Sequence, residues 1–125
     1  MIVQTGQRMI GRSILAIAAI HTMFGLIVFH GTILALIDEG VIAAIGSDPM
    51  RGAVIWFLLA GFFMATTGLA VDQLEAQGLH DRLGLMGWSL LAIALLGVAL
   101  MPASGLWLLL IPAFFCLRRA REKQD

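Results

Sequence analysis

Four apolar stretches, separated by short polar ones, set the pattern of this chain. The first, residues 14–37, reads ILAIAAIHTMFGLIVFHGTILALI and holds no Asp, Glu, Lys or Arg. As a helix, at ~1.5 Å per residue, it is ~36 Å long and crosses a hydrocarbon core of about 30 Å with some tilt. Asp38, Glu39 and Gly40 stop it, Gly40 being suited to a left-handed helix end. Residues 41–45 are apolar but too few to span, so 41–47 is expected to lie at the interface as a short helix or tucked loop. Asp48 and Pro49 read as N-cap and first helical position of the next helix.

The second stretch is 53–71, and its helix extends toward Gln77 because no breaker occurs before Gly78. Asp81 is placed to cap a third helix over 83–101, closed by Pro102-Ala103-Ser104-Gly105, a tetrad dense in turn residues. The fourth stretch, 106–117, is short, and gains reach if it starts near 104 and Arg118 and Arg119 snorkel. One helix over 84–117 would be ~51 Å long, too long for a bilayer, so a tight hairpin is expected. The pattern predicts an all-α, polytopic integral membrane protein: a four-transmembrane-helix bundle in a single domain over 1–125. Its spans fall at about 10–37, 50–72, 83–101 and 104–118, followed by a basic tail over 118–125.

Composition supports the choice of solvent. Apolar residues make up 60% of the chain and charged residues 13%, against ~45–50% and ~25% in soluble domains. A chain this short has too little interior to hide that much apolar surface from water. Arg8 and Arg12 before Ala16-Ile17-Ala18 mimic a signal peptide, but only Ile14 and Leu15 stand between them and the box. A signal core needs roughly 7–15 apolar residues, so an uncleaved first span is expected.

Charge then orients the spans. Arg8, Arg12, Arg82, Arg118, Arg119, Arg121 and Lys123 fall on one side and Arg51 alone on the other, which places both termini in the cytoplasm. Trp56 and Trp107 fall near the outer interface and Trp88 near the inner one, as an aromatic belt requires. Net charge is zero, so no basic footprint for nucleic acid exists. The single cysteine, Cys116, excludes an internal disulfide and a dithiol redox pair.

Candidate chemistry is sparse. His21, about a third of the way into the first span, shares a helical face with Ile14, Ile17, Gly25, Val28 and Thr32. Gly25 one turn on leaves room for a neighbouring helix or a ligand. His21 is either a polar anchor or proton relay in a lipid-like pocket, or a neutral ring hydrogen-bonded to another helix. Its expected partners are the Thr66-Thr67 region or a carbonyl freed near Pro112. His30, 900° further on, faces the opposite side, so the two rings cannot share a metal or a haem. Thr66 and Thr67 otherwise bond back to carbonyls one turn earlier.

Gly61 and Ala65 form a small-xxx-small pair with Gly68 on nearly the same face, and Gly84, Gly87 and Gly97 add close-approach points on the third helix. Asp72, Glu75 and Asp81 lack metal-ligand spacing and read as a solvated polar face. No catalytic residue, metal site or cofactor is predicted; bound lipid fits the surface.

Gly11-Arg12 opening the first span, His21 followed by Gly25, Trp56-Phe57 and the MPASGLW turn occur together and in order over residues 10–117. In this the chain resembles a family of small bacterial four-helix membrane proteins of unknown function. The resemblance implies a four-span bundle in the bacterial inner membrane and supplies no activity.

The expected role is non-enzymatic interaction with a membrane partner or lipid. The alternatives are a binder, carrier or enzyme for an apolar small molecule using His21, and an accessory subunit of a larger respiratory or transport complex. A homodimer is a further expectation, since so small a bundle exposes most of its helix faces.

Overall fold

The computed structural model describes residues 8–122, and these form helices and turns with no strand. Lys123 and the end of the expected basic tail lie outside them. The helices are α1 (Met9–Val28), α2 (His30–Asp38), α3 (Pro49–Gln77), α4 (His80–Leu100) and α5 (Leu110–Arg121), with a 3-10 turn at Gly105–Leu109 leading into α5. Three of them, α1, α3 and α4, are long and apolar enough to cross a membrane.

The helix expected to run unbroken to Ile37 is interrupted at Phe29, whose φ of −102° and ψ of 16° leave the helical basin. The His30 side chain stands at the break, its Nδ1 2.9 Å from the carbonyl oxygen of Ile27 in the preceding turn. A ring competing for a helical carbonyl is one of the recognised causes of a kink.

Local rules hold at the other helix ends. Gly40, at φ 96°, closes α2 in a Schellman pattern, with Val41 N donating to Leu36 O at 2.8 Å and Gly40 N to Ile37 O at 3.1 Å. Gly78, at φ 66°, closes α3 in the same way. Asp48 caps α3, accepting from Met50 N at 2.9 Å and Arg51 N at 3.4 Å, with Pro49 opening the helix.

Asp81 is not the cap of α4. The helix begins at His80, with Leu79 as its cap residue, and Asp81 sits in the first turn, where a carboxylate complements the helix dipole. Pro112 sits in the first turn of α5, where a missing N–H costs nothing, so it frees no mid-helix carbonyl. Trp107 folds back on the MPASGLW turn, its indole Nε1 donating to Pro102 O at 2.8 Å.

Two antiparallel pairs make the closest contacts, α1 with α3 and α4 with α5. Buried positions recur every seven residues: Gly11, Ala18 and Gly25 on α1, and Val54, Gly61, Gly68 and Glu75 on α3. Leu83 and Leu90, and Gly87 and Ala94, repeat likewise on α4. A seven-residue repeat is the period of a left-handed supercoil.

Small residues set how closely each pair approaches. A Cβ on Gly68 would lie 3.0 Å from Leu15 N and 3.1 Å from Gly11 O, and one on Gly87 2.9 Å from Cys116 Cβ. Where Gly61 sits, a Cβ would strike Thr22, and at Gly97 it would strike Leu106. Every one of these glycines meets a neighbour from its own chain. The pairs join through Ile10, Ile14, Val71, Leu83, Leu90, Ala113 and Cys116, a core at the end where α1 begins.

Candidate functional site

The one buried charge among the described residues is Glu75, on the last turn of α3. Its carboxylate accepts from Ile10 N at 3.1 Å and Gly11 N at 2.8 Å, two first-turn donors of α1. The first turn of any helix has donors without an intrahelical partner, and Arg8, at the N-cap of α1, makes no side-chain cap. Glu75 therefore caps α1 from another helix and sets its negative charge at the positive end of the α1 dipole. Arg119 of α5 completes the arrangement, donating from Nη1 to Glu75 Oε1 at 2.6 Å.

One turn earlier, Asp72 accepts from two of the Arg8 nitrogens, Nε at 3.2 Å and Nη2 in a shorter contact, with Arg12 Nε 4.0 Å away. The hydrogen bond to Asp72 and then the charge of Asp72 raise the Arg8 pKa above the usual arginine value, against an opposing effect of burial. Asp72 and Glu75 thus tie α1, α3 and α5 together at one point.

This corrects the expectation of a solvated face over Asp72, Glu75 and Asp81. Only Asp81 is exposed; Asp72 is half-buried and Glu75 fully enclosed. The cause is Gly11. Without a side chain there, α1 descends until it touches the backbone of Asp72, and no room is left for water at Glu75. The signal was present in the sequence: Gly61, Gly68 and Glu75 are spaced by seven, which puts the carboxylate in phase with the packing stripe. Beside the cluster, α1 and α5 leave a groove of about 340 Å³ walled by Ile10, Ile111 and Phe115. Arg118 on that groove pairs with Glu122 at 3.0 Å.

His21 meets a different partner from those expected. Its Nε2 lies 2.9 Å from Phe57 O, and its ring stacks on the Phe57 ring with centroids 4.0 Å apart and planes 14° from parallel. Carbonyl oxygen only accepts, so the hydrogen bond requires the proton on Nε2. The room beside Gly25 is filled by that same ring, since a Cβ there would be 2.8 Å from Phe57 Cδ1.

Thr66 and Thr67 donate to Phe62 O at 3.0 Å and Phe63 O at 2.9 Å on their own helix. Thr32 lies on α2, beyond the break at Phe29. Of the five ligand-binding candidates, His21 and Gly25 come together around Phe57, while Thr32, Thr66 and Thr67 stand elsewhere. Ala65 lines a shallow outer groove with Ala18, Ala19 and Thr22, and Gly84 faces Ala120. That Phe57 meets His21 and Thr22 meets Gly61 escaped the sequence reading, because apolar periodicity does not say which residues of two helices meet.

No curated protein and no solved structure matches the chain. The family of unknown function DUF6463 matches residues 5–123, nearly the whole length, and the protein belongs to it.

Proposed function

We propose that this chain is a non-enzymatic, multi-pass protein of the bacterial plasma membrane, acting through contact with a membrane partner or with lipid. Its four spans are α1 with α2, α3, α4, and the 3-10 turn with α5, and both termini are cytoplasmic. The carrying observation is how little of the apolar stretches the chain buries itself. In the most apolar window only 28% of α1 and 22% of α3 and of α4 is buried inside the protein. The rest faces outward, where only acyl chains or another apolar surface can cover it.

Placement of charge agrees with this reading. As a helix of 29 residues, α3 is ~43 Å long, beyond the ~30 Å hydrocarbon core. The excess carries Asp72 and Glu75 to headgroup depth with Arg8, Arg12 and Arg119. The basic side is the cytoplasmic one. The carrier reading through His21 draws less support, because Phe57 takes both the hydrogen bond and the space beside the ring. A homodimer or a place in a larger complex draws on the same outward surface.

The reading is tested by Ser47→Cys and Gln77→Cys, each in a Cys116→Ala background; both positions are exposed. Ser47→Cys reacts with an impermeant maleimide in intact cells, and Gln77→Cys only after lysis. Equal labelling from outside overturns the topology. Mass spectrometry of protein purified in mild detergent then identifies what covers the outward faces; neither lipid nor protein partner retained would overturn the interaction role.

A further inference from the structure

Most charges at the end of the molecule where α1 begins are already paired, Arg8 with Asp72, Arg119 with Glu75 and Arg118 with Glu122. Asp81, on the first turn of α4, and Arg121, at the end of α5, are not in any ion pair or side-chain hydrogen bond among the described residues. Both line one groove of about 460 Å³ between α4 and α5, within the size range of small-molecule sites. The groove exists because its floor is small: Gly84 lies against Ala120, a Cβ on Gly84 standing 3.3 Å from the Ala120 Cβ. Its walls are apolar, Trp88 and Leu85 from α4 and Leu117 from α5, and Trp88 is 59% exposed.

A groove with one carboxylate and one guanidinium at its charged end, leading onto apolar wall, matches an amphiphile whose head carries both signs. The geometry points to a binding site for a zwitterionic aminophospholipid, of the phosphatidylethanolamine class, between α4 and α5. Arg121 holds the phosphate through charge-assisted hydrogen bonds. Asp81 accepts from the primary ammonium. The acyl chains follow Leu85 and Leu117 away from the charged end. An anionic headgroup such as phosphatidylglycerol has the same phosphate but no cation to meet Asp81, and a quaternary ammonium has no N–H to donate to it. The class is therefore set by Asp81. This inference rests on the membrane reading above.

The test uses the full chain in vesicles holding equal mole fractions of phosphatidylethanolamine, phosphatidylglycerol and phosphatidylcholine, extracted gently and weighed by native mass spectrometry. Wild type retains phosphatidylethanolamine over the other two by roughly threefold, the size of one solvent-exposed ion pair. Asp81→Asn brings that ratio close to one. Arg121→Gln lowers retention of all three lipids, and Arg118→Gln, on the neighbouring groove, changes nothing. Equal retention by wild type, or an unchanged preference in Asp81→Asn, overturns the site. Maleimide labelling of the Ser47→Cys and Gln77→Cys proteins in the same vesicles separates the two failures. An inserted chain without preference overturns the headgroup site alone, and a chain that does not insert overturns the membrane reading and the site with it.

Discussion

At one end of the molecule, three helices are locked together by a carboxylate removed from water; at the other, a comparable set of charges holds a single loop in the open. Glu75 has no exposed side-chain surface and touches α1 and α5 from α3. Glu39, at the far end, is 52% exposed and holds Arg51 at 2.6 and 2.7 Å, while Arg51 also donates to Ala44 O at 2.6 Å. The two carboxylates make similar bonds. What differs is what surrounds them, and therefore what is lost with them. At Glu75, two helix donors would be stranded where water cannot follow, whereas Glu39 and its partner can be rehydrated at once.

Removing each carboxylate breaks that contrast most sharply. Glu75→Ala strips a buried acceptor from Ile10 N, Gly11 N and Arg119, and should cost about 3 kcal/mol. That is the low end for a broken buried pair, because Arg119 keeps 25% of its side-chain surface exposed. Glu39→Ala should barely move the unfolding midpoint. The measurement is denaturant titration of both variants in one detergent; equal losses would show that burial at Glu75 does not carry the difference.

The glycines divide along the same line. On Gly68, inside the α1/α3 seam, an added Cβ presses on backbone that cannot swing away, so Gly68→Ala should destabilise by about 1–3 kcal/mol. Gly31, on α2, has nothing within 4 Å of where a Cβ would stand. Gly31→Ala should therefore stabilise by roughly 0.5–1 kcal/mol, through helix propensity alone. Thermal melts of the two proteins side by side decide it, and a stabilised Gly68→Ala would mean that the seam is looser than the contacts imply.

Between the two ends, His21 sharpens the comparison because its bond is half-buried. His21→Ala removes a second donor from Phe57 O, together with the ring stack, and should cost about 2 kcal/mol. His21→Gln restores a donor at similar reach, but not the stacking, and should recover more than half of that loss in the same melt. Gln no better than Ala would assign the contribution to the ring stack.

What the sequence made legible follows the reach of each rule. Gly40, Gly78 and the Asp48-Pro49 start were readable because capping is decided within a few residues. The glycines of α3 and α4 were readable as sites of close approach, yet nothing local says that Gly68 meets Leu15 or Gly97 meets Leu106. Glu75 shows how far such a rule misleads. Its neighbours Asp72, Gln73 and Gln77 make a polar helix end, and only the partner helix, stripped of a side chain at Gly11, turns that end into an interior. The break at Phe29 was hidden for a similar reason, since residues 14–37 hold no proline or charged residue to mark it and the His30 side chain stands at it.

Acid should loosen the exposed loop through Glu39. Hydrogen bonding from Arg51, and to a lesser degree its charge, holds the Glu39 pKa below the ordinary carboxylate value, with burial acting in the opposite sense. A carboxylate whose folded pKa is depressed contributes stability that is present above its unfolded pKa and is lost as pH falls through the folded one. The contribution is thus flat from neutral pH down to about 4.3, the ordinary glutamate value, and fades below it. The segment it restrains holds Val41 at φ 62° and Ala43 at φ 60°, left-handed conformations that side chains disfavour. Without the Glu39–Arg51 clamp, those residues relax first. Hydrogen exchange over residues 39–48, wild type against Glu39→Gln at each pH, isolates this contribution from every other effect of acid on the protein. Protection should differ between the two proteins at pH 6 and converge on acidification, the smallest of the four effects. A difference that persists undiminished well below the carboxylate range would mean that the loop is held by Arg51 on Ala44 O rather than by Glu39.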